Sequence, residues 1–321
     1  MTTAMTSPYP VELLAPDLSA YAAGNTGIPY IWRFDSGQPG PHVAITALVH
    51  GNEPCGAVAL DWLMRRAVRP KAGQLSLAFI NMRAHAAFDA GNPDTSRWVD
   101  EDFNRLWAPG HLDDPATRLT AEVERAREIR PWLDSVDLLL DIHSMQHPCP
   151  ALFISGLLPK ARALAEGVGV PDICVGDQGH AEGMRMRDYG GFADPASPRN
   201  AVLVECGQHW ARDSAEVALE CAIRFLRHTG AVAADFGADA LAGRPAPDPM
   251  RHFQVTEAVT IETDAFRFAQ DWTGFEHLPK GTLIGHDGVR EIRAPHEPTV
   301  LIMPSRRLWP GKTAVRLAHP L

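Results

Sequence analysis

His50 and Glu53 stand three residues apart in "ALVHGNEPCG" (47–56), where an apolar run meets a turn containing Gly and Pro. An imidazole and a carboxylate so placed can hold one metal ion between them. They can equally cap a helix starting near Pro54, because acidic groups are favoured at helix N-termini. Two further residues favour the metal reading: His143 closes "DLLLDIH" (137–143), and Glu205 lies in "AVLVECG" (201–207). Two imidazoles and one carboxylate, with the fourth position left to water, form a ligand set of catalytic zinc. Zinc lowers the pKa of water to about 7 and polarises carbonyls. A nearby carboxylate that is not a ligand, here Glu205, can act as general base.

A second stretch, "SRWVDEDFNRLW" (96–107), carries Arg97 and Arg105 among Trp98, Phe103 and Trp107. A guanidinium grips a carboxylate through two parallel bonds, or stabilises a developing oxyanion. Asn104 and Arg105 together suit a substrate carboxylate, and Arg97 suits the scissile carbonyl. Asp100, Glu101 and Asp102 read as a solvated acidic turn, with Asp102 able instead to orient one of the arginines, and Asp141 can support His143 from its side.

These side chains need a frame. "HVAITALVH" (42–50), "LSLAFINM" (75–82), "DLLLDIH" and "AVLVECG" are continuously apolar, the pattern of strands buried on both faces. Helical patterns fall between and after them at 56–68, 115–136 and 213–230. The alternation predicts an α/β fold with a mixed, largely parallel sheet flanked by helices. Parallel strands would carry His50, Glu53, His143 and Glu205 to one sheet edge, where α/β proteins bind ligands. An Ala/Gly/Pro-rich stretch at 229–250 then leads into short strand-like pieces. The expected division is a catalytic α/β domain over 1–234 and a small C-terminal all-β domain over 235–321.

The bulk properties exclude some partners. The 321 residues are 45% hydrophobic and 21% charged, with a net charge of −9. An acidic chain without a Lys/Arg stripe is not built for nucleic acid. No apolar run approaches the roughly 18 residues of a membrane span. The start, "MTTAMTSPYPVELLAPDLSAY", lacks the charged and apolar regions of a leader. Five scattered cysteines without CxxC spacing fit reduced thiols, so a cytoplasmic protein is expected. No feature of the sequence sets an oligomeric state.

"HGNE", "RWVDEDFNR", "DIH" and "VLVECG", in this order, resemble the succinylglutamate desuccinylase/aspartoacylase family, which shares the zinc carboxypeptidase fold. The resemblance implies one zinc ion per chain on His50, Glu53 and His143, with Glu205 as general base. It implies that Arg97 polarises the carbonyl and that Asn104 and Arg105 bind the substrate carboxylate. The implied reaction is hydrolysis of the amide of a small anionic N-acyl amino acid.

Two features depart from the aspartoacylase branch. Its further substrate-binding arginine has three counterparts here, Arg185, Arg187 and Arg199. Its C-terminal tyrosine has none, since the tyrosines are Tyr9, Tyr21, Tyr30 and Tyr189. The acyl group and amino acid are therefore not carried over. A carboxypeptidase for short or modified peptides is the alternative within the same chemistry, and a non-catalytic metal-binding protein the alternative outside it. His147, in proline-containing "HSMQHPCP", is expected to line the pocket or face solvent rather than bind metal. His209 and Cys206 follow Glu205 closely; Cys206, like Cys55, reads as a small buried hydrophobe.

Overall fold

The computed structural model describes residues 9–179 and 183–321. The first eight residues of the segment read as lacking a leader lie outside the described residues. The chain runs β1 (Ile31–Asp35), β2 (His42–Ala47), α1 (Pro54–Arg65), β3 (Gln74–Phe79) and a single-turn α2 (Met82–His85). It continues through α3 (Ala121–Leu133), β4 (Leu138–Met145), β5 (Leu152–Ile154), α4 (Pro159–Val168), β6 (Ile173–Gly176), β7 (Asn200–Gln208) and α5 (Arg212–His228). After α5 come only strands: β8 (Arg251–Thr260), β9 (Phe266–Phe268), β10 (His277–Leu278), β11 (Leu283–Asp287), β12 (Arg290–Arg293), β13 (Thr299–Ile302) and β14 (Thr313–Pro320). No described helix is long and apolar enough to cross a membrane.

The four apolar runs are neighbours in one 11-stranded sheet, ordered β1-β3-β2-β4-β7-β5-β6-β8-β14-β13-β10. β3, β2, β4 and β7 are mutually parallel. Their unbroken apolarity follows from burial on both faces: every residue of β2 is buried, and all of β4 beyond its first residue. Val43, Ile45 and Ala47 face the helices α1, α4 and α5, while Ala44 faces α3 on the other side. That is the period-two alternation of a strand read from both sides.

The helix starts follow local chemistry. Pro54 is the first residue of α1, where its missing N–H loses nothing. Helix α3 begins at Ala121 rather than 115, because the Thr120 hydroxyl accepts the Val123 N–H at 3.1 Å and ends the preceding turn there.

The composition change near 235 marks where helices stop, but it is not a break in the sheet. β8 pairs in parallel with β6, and β14, β13 and β10 extend the large sheet from it. A separate three-stranded sheet, β12-β11-β9, stands beside this extension.

Candidate metal centre and catalytic cavity

The chain leaves β2 through Leu48 in a left-handed conformation (φ 57°) and turns back to present His50. Gly51 lets this turn lie against its neighbours: a Cβ there would stand 2.4 Å from the His85 nitrogen and 2.5 Å from the Ser96 oxygen. Glu53 occupies the N-cap position of α1, yet its side chain makes no capping bond. Its carboxylate turns inward instead. One oxygen lies 2.7 Å from His50 Nδ1 and the other 3.0 Å from His143 Nδ1. The Ser144 N–H donates to the latter at 3.2 Å.

Both imidazoles are also held from behind. His50 Nε2 lies 2.9 Å from Asp102 Oδ1, and His143 Nε2 lies 3.0 Å from Asp141 Oδ2. Asp141 accepts in turn from the Thr46 hydroxyl at 2.7 Å. A carboxylate behind each ring favours a proton on Nε2, which would free Nδ1 for a metal ion, the usual support of a metal-bound histidine. One ligand atom from each of His50, Glu53 and His143 lies within 4.8 Å of the others, and all three residues are buried. Two imidazole nitrogens and a carboxylate at this spacing suit a zinc ion.

The electrostatics agree. Burial alone would raise the Glu53 pKa, but the facing His50 and His143 rings outweigh it and hold the carboxyl well below its usual range. Burial alone would lower that of His143, but Asp141 and Glu53 raise it well above normal. The site is thus a dense cluster of charge in which a metal cation would replace protons.

Glu205 is the direct β-partner of His143 across the β4–β7 pair. It faces a cavity of about 510 Å³. Its Oε2 is buried and has no hydrogen-bond partner among the described residues. Burial pushes its pKa up to about 7.

Arg97 lines the same cavity, donating from Nη1 to Glu53 at 3.0 Å and lying 3.5 Å from Asp102. Arg105 lines it too, 3.9 Å from Asp102, so that carboxylate stands among His50 and both arginines. Asn104 is placed differently. It is buried and not among the residues lining the cavity, and its Oδ1 accepts the Met186 N–H at 2.8 Å, while no bond of its amide nitrogen occurs among the described residues.

The three arginines left open by sequence separate clearly. Arg185 lines the cavity and is held by Asp177 at 2.6 Å. Arg187 donates to the Ala201 carbonyl and bonds Asp188. Arg199 donates to the carbonyls of Val136 and Leu133. His147 lines the cavity rim, 3.2 Å from the Tyr9 hydroxyl, and accepts the Arg306 N–H.

The profile of the succinylglutamate desuccinylase/aspartoacylase catalytic domain matches residues 39–229, the stretch that supplies every residue above except Tyr9 and Arg306. The chain belongs to this family of deacylases. A succinylglutamate desuccinylase of Burkholderia cenocepacia is 26% identical over 294 residues, 85% of this chain and 79% of that one. Two solved structures share the fold. The succinylglutamate desuccinylase of Vibrio cholerae superposes with a TM-score of 0.66 at 17% identity, covering 91% of this chain and 86% of that one. Murine aminoacylase 3 gives 0.60 at 21% identity, covering 88% and 96%.

Two parts of this desuccinylase/aspartoacylase-family site escaped sequence reasoning. Glu122, in the first turn of α3, is fully buried. It accepts the N–H groups of Val99, Asp100 and Glu101 and the Asn81 amide, at 2.7–3.3 Å. It thereby shapes the loop that carries Arg97 to Arg105. A Glu in the first turn of a helix is ordinary, so nothing marked it.

The second is the wall contributed by Met303, Pro304, Ser305, Arg307, Trp309 and Lys312. Arg307 ties it to the catalytic side through Asp94 Oδ1 at 2.8 Å, an oxygen that also accepts from Gln146. The only signals were basic residues after a Pro-Ser turn.

Proposed function

We propose that the protein is a zinc-dependent hydrolase that cleaves the amide of a small anionic N-acyl amino acid. The convergence of His50 Nδ1, Glu53 and His143 Nδ1 beside Glu205, whose buried Oε2 has no hydrogen-bond partner among the described residues, carries this reading. Zinc bound there would supply a more acidic water and a polarised carbonyl. Glu205 would take the proton of the attacking water and pass it to the leaving amine. Arg97 would face the oxyanion. Arg105 and the Asn104 amide nitrogen would hold the substrate carboxylate, and Arg185 is placed to meet a second acidic group.

In this reading residues 1–234 form the catalytic unit and 235–321 a unit that closes it. The wall at 303–312 narrows the cavity, which supports a small N-acyl amino acid over the peptide of a carboxypeptidase. A purely structural metal site would need no carboxylate base beside it. All five cysteines are free thiols, which supports a cytoplasmic location.

The test is metal analysis of the purified protein, combined with assay of a panel of N-acyl amino acids and C-terminal dipeptides. One equivalent of zinc and turnover of N-acyl amino acids are expected. Turnover of dipeptides alone would select the carboxypeptidase reading.

A further inference from the structure

Gly207 lies in a bulge in β7: between His143/Glu205 and Met145/Gln208 the register shifts by one residue. With φ 109° it adopts a conformation that side chains disfavour, and the chain re-aims beyond it. The residue so re-aimed is His209. Its N–H donates to the Met145 carbonyl at 2.8 Å. The next residue, fully buried Trp210, donates from its ring to the Asn52 carbonyl at 3.1 Å. The Gln208 side chain accepts the Trp210 and Ala211 N–H groups. This turn is thus held on several sides, and His209 is fixed in place in the lining of the cavity that Glu205 and His50 also line.

Among the described residues the His209 ring has one hydrogen-bond partner, the Ser144 hydroxyl, 2.8 Å from Nδ1. Ser144 is buried, and no other side-chain bond of its hydroxyl occurs among the described residues. If the hydroxyl accepted from Nδ1, its own proton would be buried without an acceptor, which is costly. Donation from the hydroxyl to Nδ1 satisfies both groups and leaves the ring proton on Nε2. No described protein atom bonds Nε2. Burial, with Arg97 and Arg307 nearby, holds the ring neutral, its pKa lowered to about 3.

We propose that His209 is a substrate-binding residue, whose Nε2–H donates to an oxygen of the bound N-acyl amino acid, with Ser144 setting its tautomer. The inference rests on the deacylase reading above. Among the cations of the cavity this group is a neutral donor, so it adds direction without adding charge.

The test compares wild type, His209→Ala, His209→Gln and Ser144→Ala on the panel member that wild type hydrolyses best. Zinc content and thermal midpoint are measured on the same samples. Loss of one neutral hydrogen bond to substrate should raise KM about tenfold in His209→Ala, with kcat within about twofold of wild type. His209→Gln, which keeps a donor, should recover part of this, and Ser144→Ala should raise KM about threefold.

A wild-type KM in His209→Ala would overturn the proposal while leaving the deacylase reading intact. So would a loss confined to zinc content or folding, with normal KM in the surviving active fraction. A wild type that hydrolyses no N-acyl amino acid would overturn both.

Discussion

Around the cavity, the cradle of His50, Glu53 and His143 faces the wall formed by residues 303–312, and the two are held in opposite ways. Each cradle side chain is buried and bonded on more than one side, with Asp102 and Asp141 behind the imidazoles. The wall carries Trp309 59% exposed and is tied across the cavity by the half-exposed Arg307–Asp94 pair. Dense buried bonding fixes a geometry that metal chemistry demands to within a few tenths of an ångström. A polar rim bonded at few points can change its residues without disturbing that geometry. On the proposed function, chemistry belongs to the cradle and substrate choice to the wall, and each expectation below strains one side of that contrast.

The largest effect is expected from Glu205→Gln, which keeps shape and removes the base. kcat should fall about 10³-fold with zinc content unchanged. Wild-type turnover in this variant would remove the mechanism. The same carboxyl sets a pH dependence. A general base works deprotonated, and burial raises the Glu205 pKa to about 7. The rate should therefore fall as pH drops through a midpoint at or below that value, since a bound cation favours the carboxylate. A profile flat from pH 5 to 8 would detach Glu205 from the rate.

Asp141→Asn leaves every proposed ligand in place and weakens only the group behind His143. Zinc affinity should drop by about 10–100-fold in a chelator competition. Unchanged affinity would show that the cradle does not depend on its outer carboxylates.

Glu122→Ala strands three loop N–H groups and should destabilise the fold by about 2 kcal/mol, read from chemical denaturation. If the variant matched wild type in stability, the Arg97–Arg105 loop would not need this anchor.

The smallest effect is expected on the wall. Arg307→Ala should change KM by up to about tenfold, with different factors for different acyl groups and kcat nearly constant. A uniform loss of kcat instead would move Arg307 from the substrate side of the comparison to the chemical side.

Much of the cradle side was legible in the chain itself. Four short apolar runs without alternation, rich in β-branched residues, point to strands buried on both faces, and three of them carry His50, His143 and Glu205 toward their ends. Their parallel sense follows, because the helical segments between strands enforce crossovers, whereas the order β3-β2-β4-β7 came only from the fold. The wall side was less legible. β14, with most of its residues buried, went unread, and the composition change near 235, where helices stop, gave no sign that the large sheet continues through β8. Short strands whose partners lie far along the chain leave little local pattern.

By itself, then, the sequence determined which residue types could hold a metal and on which elements they ride. Hydrophobic periodicity is local, and each strand carries its own chemistry at its end. Only the tertiary structure decided what depends on groups meeting across the fold. It turned the Glu53 carboxylate from helix cap to His143, 90 residues away. It also buried Glu122 beneath the arginine loop, chose Arg185 among three arginines to face the cavity, and bent β7 so that His209 meets Ser144. Each of these is a contact between distant segments, set by register, a bulge and burial.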